Sequence, residues 1–212
     1  MSYETIHDAL GSHGDGKYKI SQGNLASLIG DNKAGICRGL STMWLVAEKT
    51  GKYFVKDIAA PDEDTGLLHE QSSATGASQM QTKYIDDGLD TDDNPSVGTT
   101  DQLRMAGLGT VGERKHAAPM NFAADSRAIS ECILTATSRY FILSIRGTSG
   151  GHSVAFHRPW ALIGKKNNCR FFDPNFGEFH IKDREGIQSC LTELAASYNG
   201  GLSGSYRLWG FR

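Results

Sequence analysis

The sequence GICRGLSTMWLVAEKTG, residues 35–51, carries the strongest helix pattern in this chain of 212 amino acids. Its apolar residues recur at helical spacing, and Thr50-Gly51 supplies a stop. The pattern therefore predicts a helix from Ile36 onward, with Cys37 in its first turn. Unpaired N–H groups and the helix dipole favour negative charge at that place, so a thiolate would be stabilised there.

Cys37 is one of four cysteines, and the others are Cys132, Cys169 and Cys190. They form no CxxC pair, which argues against a zinc ribbon or a thioredoxin-like motif. The other three lie in apolar runs or on predicted inward faces, where burial raises a thiol pKa and makes it inert. Cys37 is therefore the candidate nucleophile.

A thiolate nucleophile needs a partner that exchanges a proton near neutral pH, and histidine is suited to that task. Of seven histidines, His152 and His157 share one predicted strand, and their offset of five places them on opposite faces. His152 directly follows Gly150-Gly151, where small residues leave room for a substrate backbone. We therefore choose His152 as general base and acid, with a structural or surface role as the alternative.

Two further residues complete the candidate site. Asp173 ends a predicted strand that pairs back toward His152, and Pro174 favours an extended backbone there, so its carboxylate could orient the imidazole. The alternative is a plain Asp-Pro turn. Asn32 and the backbone N–H of Cys37 are the candidate donors of an oxyanion hole, and a simple loop role is the alternative for Asn32.

The rest of the chain predicts an α+β fold with a single domain, 1–212. Its helical N-terminal part, with the catalytic helix, would pack on a C-terminal antiparallel sheet. Residues 1–17 are expected to be a flexible end, and 85–101 an acidic loop. The predicted later elements are a helix capped by Asp125-Ser126, strands at 140–145, 152–157, 160–164, 169–173, 178–181 and 205–211, and a last helix capped by Asp183, with Ile187, Leu191, Leu194 and Tyr198 on one face.

Composition narrows the function. The net charge is −2, and no dense Lys/Arg stripe is present, so we expect no nucleic-acid partner. No segment approaches the roughly 18–20 apolar residues that span a bilayer, so we expect no integral membrane segment. The acidic run 86–94 lacks the ligand order of an EF-hand. We expect no metal, no cofactor and a monomer.

Three blocks then resemble a known family: GICRGLSTMWL around Cys37, GGHSVAF around His152 and FFDPNFGEF around Asp173. They are similar to the YopT and AvrPphB group of bacterial effector cysteine proteases, and they occur in the same order across residues 30–180. The resemblance implies a papain-like fold and a Cys-His-Asp triad at these three residues. It also implies an oxyanion-hole asparagine, which matches Asn32.

The same resemblance implies a virulence effector or toxin, secreted by a dedicated system and acting on proteins in the cytoplasm of a target cell. Known substrates of the group include Rho-type GTPases and plant kinases. We therefore predict a cysteine endopeptidase that works through a thioacyl-enzyme. One alternative is a glutamine deamidase or transglutaminase with the same triad, since the thioester chemistry is shared. Another is an inactive papain-like binding module.

Overall fold

The structure is a computed structural model that describes residues 3–28, 36–52, 54–55, 74–82, 97–116, 122–147, 150–159, 168–198 and 205–212. Its helices are α1 (Tyr3–Leu10), α2 (Gln22–Leu28), α3 (Cys37–Thr50), α4 (Val97–Met105), α5 (Phe122–Thr135) and α6 (Arg184–Ser197), with a further helical segment at 74–82. Its strands are β1 (Gly14–Lys19), β2 (Thr110–His116), β3 (Tyr140–Gly147), β4 (Gly150–His157), β5 (Cys169–Asp173), β6 (Gly177–Ile181) and β7 (Ser205–Phe211).

One antiparallel sheet of seven strands organises these elements, in the order β1-β6-β5-β4-β3-β7-β2. Six of its strands, β2 to β7, come from the C-terminal half, and five of them, β3 to β7, were predicted. β3 and β4 pair over eight residues, whereas β4 and β5 pair over only three. The short pairing separates the start of β4 from the end of β5, and this opening is where the candidate site lies.

Each face of the sheet has its own hydrophobic core, which explains why the central strands are apolar on both sides. On β3, Phe141 and Leu143 point to the core formed with α1, α5 and α6. Tyr140 and Ile142 point to the opposite core, formed with α2, α3 and α4. The helix that carries Cys37 therefore packs on one face, while the last helix packs on the other.

Helix α3 follows its sequence pattern closely. It runs from Cys37 to Thr50, and Gly51 closes it with a φ of 73°, which a residue with a side chain rarely adopts. Leu40, Trp44 and other apolar residues along one side are fully buried against the sheet. The predicted helix, with the cysteine in its first turn, is confirmed.

Other boundaries differ from the expectation. α5 begins at Phe122, so Asp125 lies within its first turn instead of capping it, where a carboxylate still favours the helix dipole. Residues 97–101 of the supposed acidic loop belong to α4, while 85–96 lie outside the described residues. The predicted strand 160–164 also lies outside the residues that the structure describes.

The N-terminal segment also differs from the flexible end that we expected. Ile6 and Leu10 of α1 are completely buried in the core beneath α6, and β1 pairs with β6 at the edge of the sheet. Burial of two large apolar side chains stabilises this segment by several kcal/mol at about 1.5–3 kcal/mol each. In the described part of the chain, no helix has the length and apolar character needed to cross a membrane.

Candidate active site

The start of α3 is fixed against the sheet along the strand that carries His152. Ser41 Oγ donates a hydrogen bond of 2.9 Å to the carbonyl of Ser153, one residue beyond the histidine. One turn later, the Trp44 ring stacks on Phe172, with centroids 5.5 Å apart and planes 12° from parallel. These contacts set the position of α3 along β4, and they bring its first residue, Cys37, to the start of that strand.

His152 and Asp173 lie on adjacent strands and on the same face of the sheet. Ala155 on β4 pairs with Phe172 on β5, so the next residue of β5, Asp173, lies diagonally across from His152. The imidazole Nε2 and the carboxylate Oδ1 are 3.0 Å apart. Both side chains are buried, at 3% and 0% exposure, so this hydrogen bond is protected from water.

Cys37 completes the site, because its thiol lies close enough to His152 for the imidazole to act on the thiol pKa. Burial by itself raises the pKa of the Cys37 thiol, but the hydrogen bond and positive charge of His152 more than compensate. The backbone N–H groups of Ser153 and Arg38 act in the same direction, so the pKa is lowered overall. The sulfur therefore favours the thiolate form that a nucleophile requires.

The protonated form of His152 is favoured in the same way. Burial alone lowers the pKa of the imidazole, whereas the charge and hydrogen bond of Asp173, followed by those of Cys37, raise it to about 10. The two shifts are coupled, because thiolate and imidazolium stabilise each other. The arrangement thus favours an ion pair that is ready for nucleophilic attack and for proton delivery.

The turn after β5 holds Asp173 in place. Its Oδ1 accepts a second hydrogen bond of 2.8 Å from the N–H of Asn175, and its carbonyl accepts one of 3.0 Å from Phe176. Gly177 closes the turn with a φ of 129°, and a Cβ there would lie 1.9 Å from the carbonyl oxygen of Tyr18. The turn residues and the close approach of β1 therefore fix the carboxylate that orients His152.

Gln81, in the helical segment 74–82, caps α3 from outside that helix. Its Oε1 accepts hydrogen bonds from the N–H groups of Arg38 (3.0 Å) and Gly39 (3.4 Å). These groups belong to the first turn of α3, where N–H groups lack a backbone carbonyl acceptor within the helix. A Cβ at Gly39 would lie 2.0 Å from the Ala77 carbonyl oxygen, so glycine allows the two helices to approach closely.

We expect Gln81→Leu to lower the free energy of unfolding by about 1–2 kcal/mol, because two buried N–H groups lose their acceptor. The exposed Gln79 in the same helical segment provides the matched control. Denaturant unfolding of both leucine variants measures the difference. Equal losses for Gln79→Leu and Gln81→Leu would contradict a capping role.

The other candidate residues fall into two groups. Asn32 lies outside the described residues, so its role as an oxyanion-hole donor stays a prediction. Cys169 and Cys190 are buried, and burial raises the pKa of Cys169 to about 12 and that of Cys190 well above its usual range. Cys132 is only half-buried against the core, so it does not fit the expected buried environment.

His157 lies on the other face of β4, as the alternation predicted. Its Nδ1 is 2.6 Å from Glu48 Oε2, near the C-terminal end of α3 and away from Cys37. This histidine therefore belongs to a structural ion pair, in agreement with the choice of His152 for the site.

One group of possible metal ligands exists among the described residues: His13, Asp183 and Glu185, whose ligand atoms lie within 4.8 Å of one another. Asp183 already caps α6 through the N–H of Gly186 and binds His13 Nδ1 at 2.9 Å. These side chains are partly exposed and separate from the triad, and their contacts with one another account for the arrangement.

Solved structures place this architecture among papain-like cysteine protease folds. The crystal structure of the Pseudomonas avirulence protein AvrPphB superposes with a TM-score of 0.59 and 19% identity, over 92% of this chain and 96% of that one. PatoxP, a cysteine protease-like domain of the Photorhabdus asymbiotica toxin PaTox, gives a TM-score of 0.51 and 9% identity, over 98% of this chain and 57% of the other. The predicted fold is confirmed.

The chain belongs to the Peptidase_C58 family, described as Yersinia/Haemophilus virulence surface antigen, whose family model matches residues 17–208. The cysteine protease yopT1 of Yersinia enterocolitica is 23% identical over 184 residues, and YopT of Yersinia pestis is 21% identical over 177. Each match covers 76% of this chain but only 50% of the relative. The chain thus spans about half the length of these curated relatives.

Proposed function

We propose that this chain is a cysteine endopeptidase that cleaves a protein substrate through a thioacyl-enzyme. The observation that carries the proposal is the buried hydrogen bond of 3.0 Å between His152 and Asp173, next to the Cys37 thiol, whose pKa His152 lowers. Its family membership supports the same chemistry. Strands from both ends of the chain lie in one sheet, which supports a single catalytic domain.

The reaction follows from the positions of the three groups. The Cys37 thiolate attacks the carbonyl carbon of the scissile bond, and the oxyanion that forms would be stabilised by the N–H of Cys37 and the side chain of Asn32. The His152 imidazolium then gives its proton to the leaving amine as the C–N bond breaks. His152 next removes a proton from water, which attacks the thioester and releases the acid and the free thiolate. Asp173 holds the imidazole throughout.

We also propose that the protein is a secreted virulence effector that acts on proteins of a target cell. The description of its family as a virulence surface antigen supports this assignment. The similarity to the Pseudomonas avirulence protein and to a domain of the Photorhabdus toxin points in the same direction.

Analysis of a target-cell proteome tests the proposed reaction. A eukaryotic cell lysate supplemented with casein is incubated with the protein, with Cys37→Ser, and with Cys132→Ser. We expect new peptide N-termini, detected by mass spectrometry, with the unsubstituted protein and Cys132→Ser but none with Cys37→Ser. Cys132 lies on α5 and is the matched control, since it undergoes the same chemical change away from the site.

Two results would overturn the peptidase assignment. Mass increases of about 1 Da on glutamines without new termini would instead identify a deamidase, which shares the thioester step. Unmodified substrates in all samples would favour the inactive binding module.

A further inference from the structure

Tyr198, directly after α6, packs against the imidazole of His152. Their ring centroids are 4.7 Å apart, and the planes are inclined by 35°. Tyr198 reaches this place from the helix that packs on the opposite face of the sheet from α3. The sequence predicted it only as an apolar residue of the last helix, but the ring lies at the centre of the candidate site.

The hydroxyl of Tyr198 lies beside the polar groups of the turn after β5. It accepts a hydrogen bond of 2.6 Å from Nδ2 of Asn175. Burial, followed by the negative charge of Asp173, raises the pKa of Tyr198 far above its usual range, so the phenol stays neutral. The ring is thus fixed at two points, by its contact with His152 and by the hydrogen bond at its hydroxyl.

Asn175 and Gln22 extend these contacts to the segment before Cys37. The Asn175 Oδ1 accepts a hydrogen bond of 2.7 Å from Gln22 Nε2, and the Gln22 Oε1 accepts one of 3.3 Å from the N–H of Ile36. The N–H of Gln22 also donates to the carbonyl of Pro174 at 2.7 Å. One network therefore joins the entry to α3, the turn that carries Asp173 and the ring over His152.

We propose that Tyr198 is a positioning residue for catalysis, which holds the His152 ring in the plane that contacts Cys37 and Asp173 together, and that Gln22 and Asn175 fix the tyrosine in turn. This inference rests on the proposed triad. Imidazole needs both of its nitrogens aligned at once, and an aromatic wall limits its rotation. The Tyr198 ring also keeps water from the hydrogen bond between His152 Nε2 and Asp173 Oδ1. Water there would screen the attraction between the imidazolium and the carboxylate.

The structure also provides a matched control elsewhere in the sheet. Tyr140 stacks on His157 with centroids 4.5 Å apart and planes 6° from parallel. Tyr140 and His157 are both buried, whereas Tyr198 is partly buried, and the Tyr140 pair has no part in the triad. Removal of either tyrosine ring should therefore cost stability, whereas only Tyr198 should affect the reactivity of Cys37.

The test measures the rate of Cys37 alkylation by iodoacetamide across a series of pH values, together with the thermal midpoint of each protein. We expect Tyr198→Met, which fills a similar volume without a ring, to lower the rate near pH 6 by about tenfold through misalignment of the imidazole. Its pH profile should also shift toward that of an ordinary thiol. Tyr198→Phe retains the ring and should stay within about threefold of the unsubstituted protein. Tyr140→Met should leave the profile unchanged.

An unchanged alkylation profile in Tyr198→Met, with a lower thermal midpoint only, would overturn the proposal, as would an equal effect of Tyr140→Met. If Tyr198→Met does not fold, Tyr198→Leu replaces it with the same expected result. Failure of the triad itself would be recognised separately, because His152→Ala would then leave the alkylation rate of Cys37 unchanged.

Discussion

Replacing His152 by alanine is expected to lower the alkylation rate of Cys37 near pH 6 by about 100-fold. In the native site the imidazolium lowers the thiol pKa, so a larger fraction of the sulfur is thiolate near pH 6 than in a free cysteine. Without the imidazolium, burial raises the pKa of the Cys37 thiol, and only the backbone N–H groups of Ser153 and Arg38 oppose it. A thiol with the ordinary pKa of about 8.5 is only about 0.3% ionised near pH 6.

The pH dependence of the alkylation rate should show in which direction His152 shifts the pKa of the Cys37 thiol. The native rate should reach its plateau well below the pKa of a free cysteine, since the thiol pKa is lowered. His152→Ala should instead rise only as the pH approaches or exceeds about 8.5. The measurement is mass spectrometry of the labelled peptide, with Cys132→Ser to remove the half-buried competing thiol. Equal rates in both proteins near pH 6 would refute the ion pair.

Glu178→Ala is expected to lower the free energy of unfolding by about 3–5 kcal/mol, the largest effect on stability among these predictions. The substitution leaves the buried partners of the carboxylate unpaired. Glu178 is 2% exposed and accepts hydrogen bonds from Trp44 Nε1 at 3.0 Å and Arg170 Nε at 3.1 Å. Arg170 also pairs with Glu48 at 2.6 Å. This network joins α3 to β5 and β6, so its disruption should also disturb the placement of Cys37.

His180 provides the control for Glu178, since it is 44% exposed and its Nε2 contacts the same carboxylate at 3.1 Å. We expect His180→Ala to cost less than about 1 kcal/mol. Burial raises the pKa of Glu178, but its hydrogen bonds with His180, Trp44 and Arg170 lower it overall. The Glu178 carboxylate therefore contributes to the free energy of unfolding above its unfolded pKa of about 4.3. This contribution is lost as the pH falls through the lower pKa of the folded state.

Denaturant unfolding of both variants, at about pH 7 and again at about pH 3, measures these differences. The difference in unfolding free energy between the unsubstituted protein and Glu178→Ala should narrow at the lower pH, because about pH 3 lies below the unfolded pKa of about 4.3, so the unfolded chain takes up the proton. A loss in His180→Ala as large as that in Glu178→Ala would show that the buried network contributes nothing beyond surface charge.

The sequence predicted those parts of the fold in which local pattern and tertiary packing agree. Apolar spacing located α3, and the Asp183 cap located α6, where its carboxylate accepts from Gly186 N–H. Alternation located β4 and placed His152 and His157 on opposite faces. The short distance between Asp173 and His152 followed from the antiparallel pairing of neighbouring strands.

The edge strands could not be predicted in this way. β1, GDGKYK, is polar and rich in glycine, and its partner β6 lies more than 150 residues away. Its glycines reflect close packing, since a Cβ at Gly16 would lie 2.2 Å from the hydroxyl of Tyr3. β2 is likewise polar and lies in a part of the sequence without clear periodicity. Long-range pairing, which local pattern does not encode, determines both strands.

Gln81 and Tyr198 were missed for the same reason. Each looks ordinary in its own segment and gains its role only from a residue about 45 positions away. A signal existed for Tyr198, since a tyrosine at the end of an apolar helix face has a polar tip that requires a partner. The sequence did not show which residue that partner would be.

The two cores on opposite faces of the sheet have a consequence for the candidate site. The sulfur belongs to a helix of one layer, whereas the imidazole and the carboxylate face the other. The reactivity of the Cys37 thiol therefore depends on the alignment of the two layers. A small shift within either layer can inactivate the thiol while the chain stays folded. Inactivating substitutions should thus occur throughout both interiors, at sites that no substrate touches.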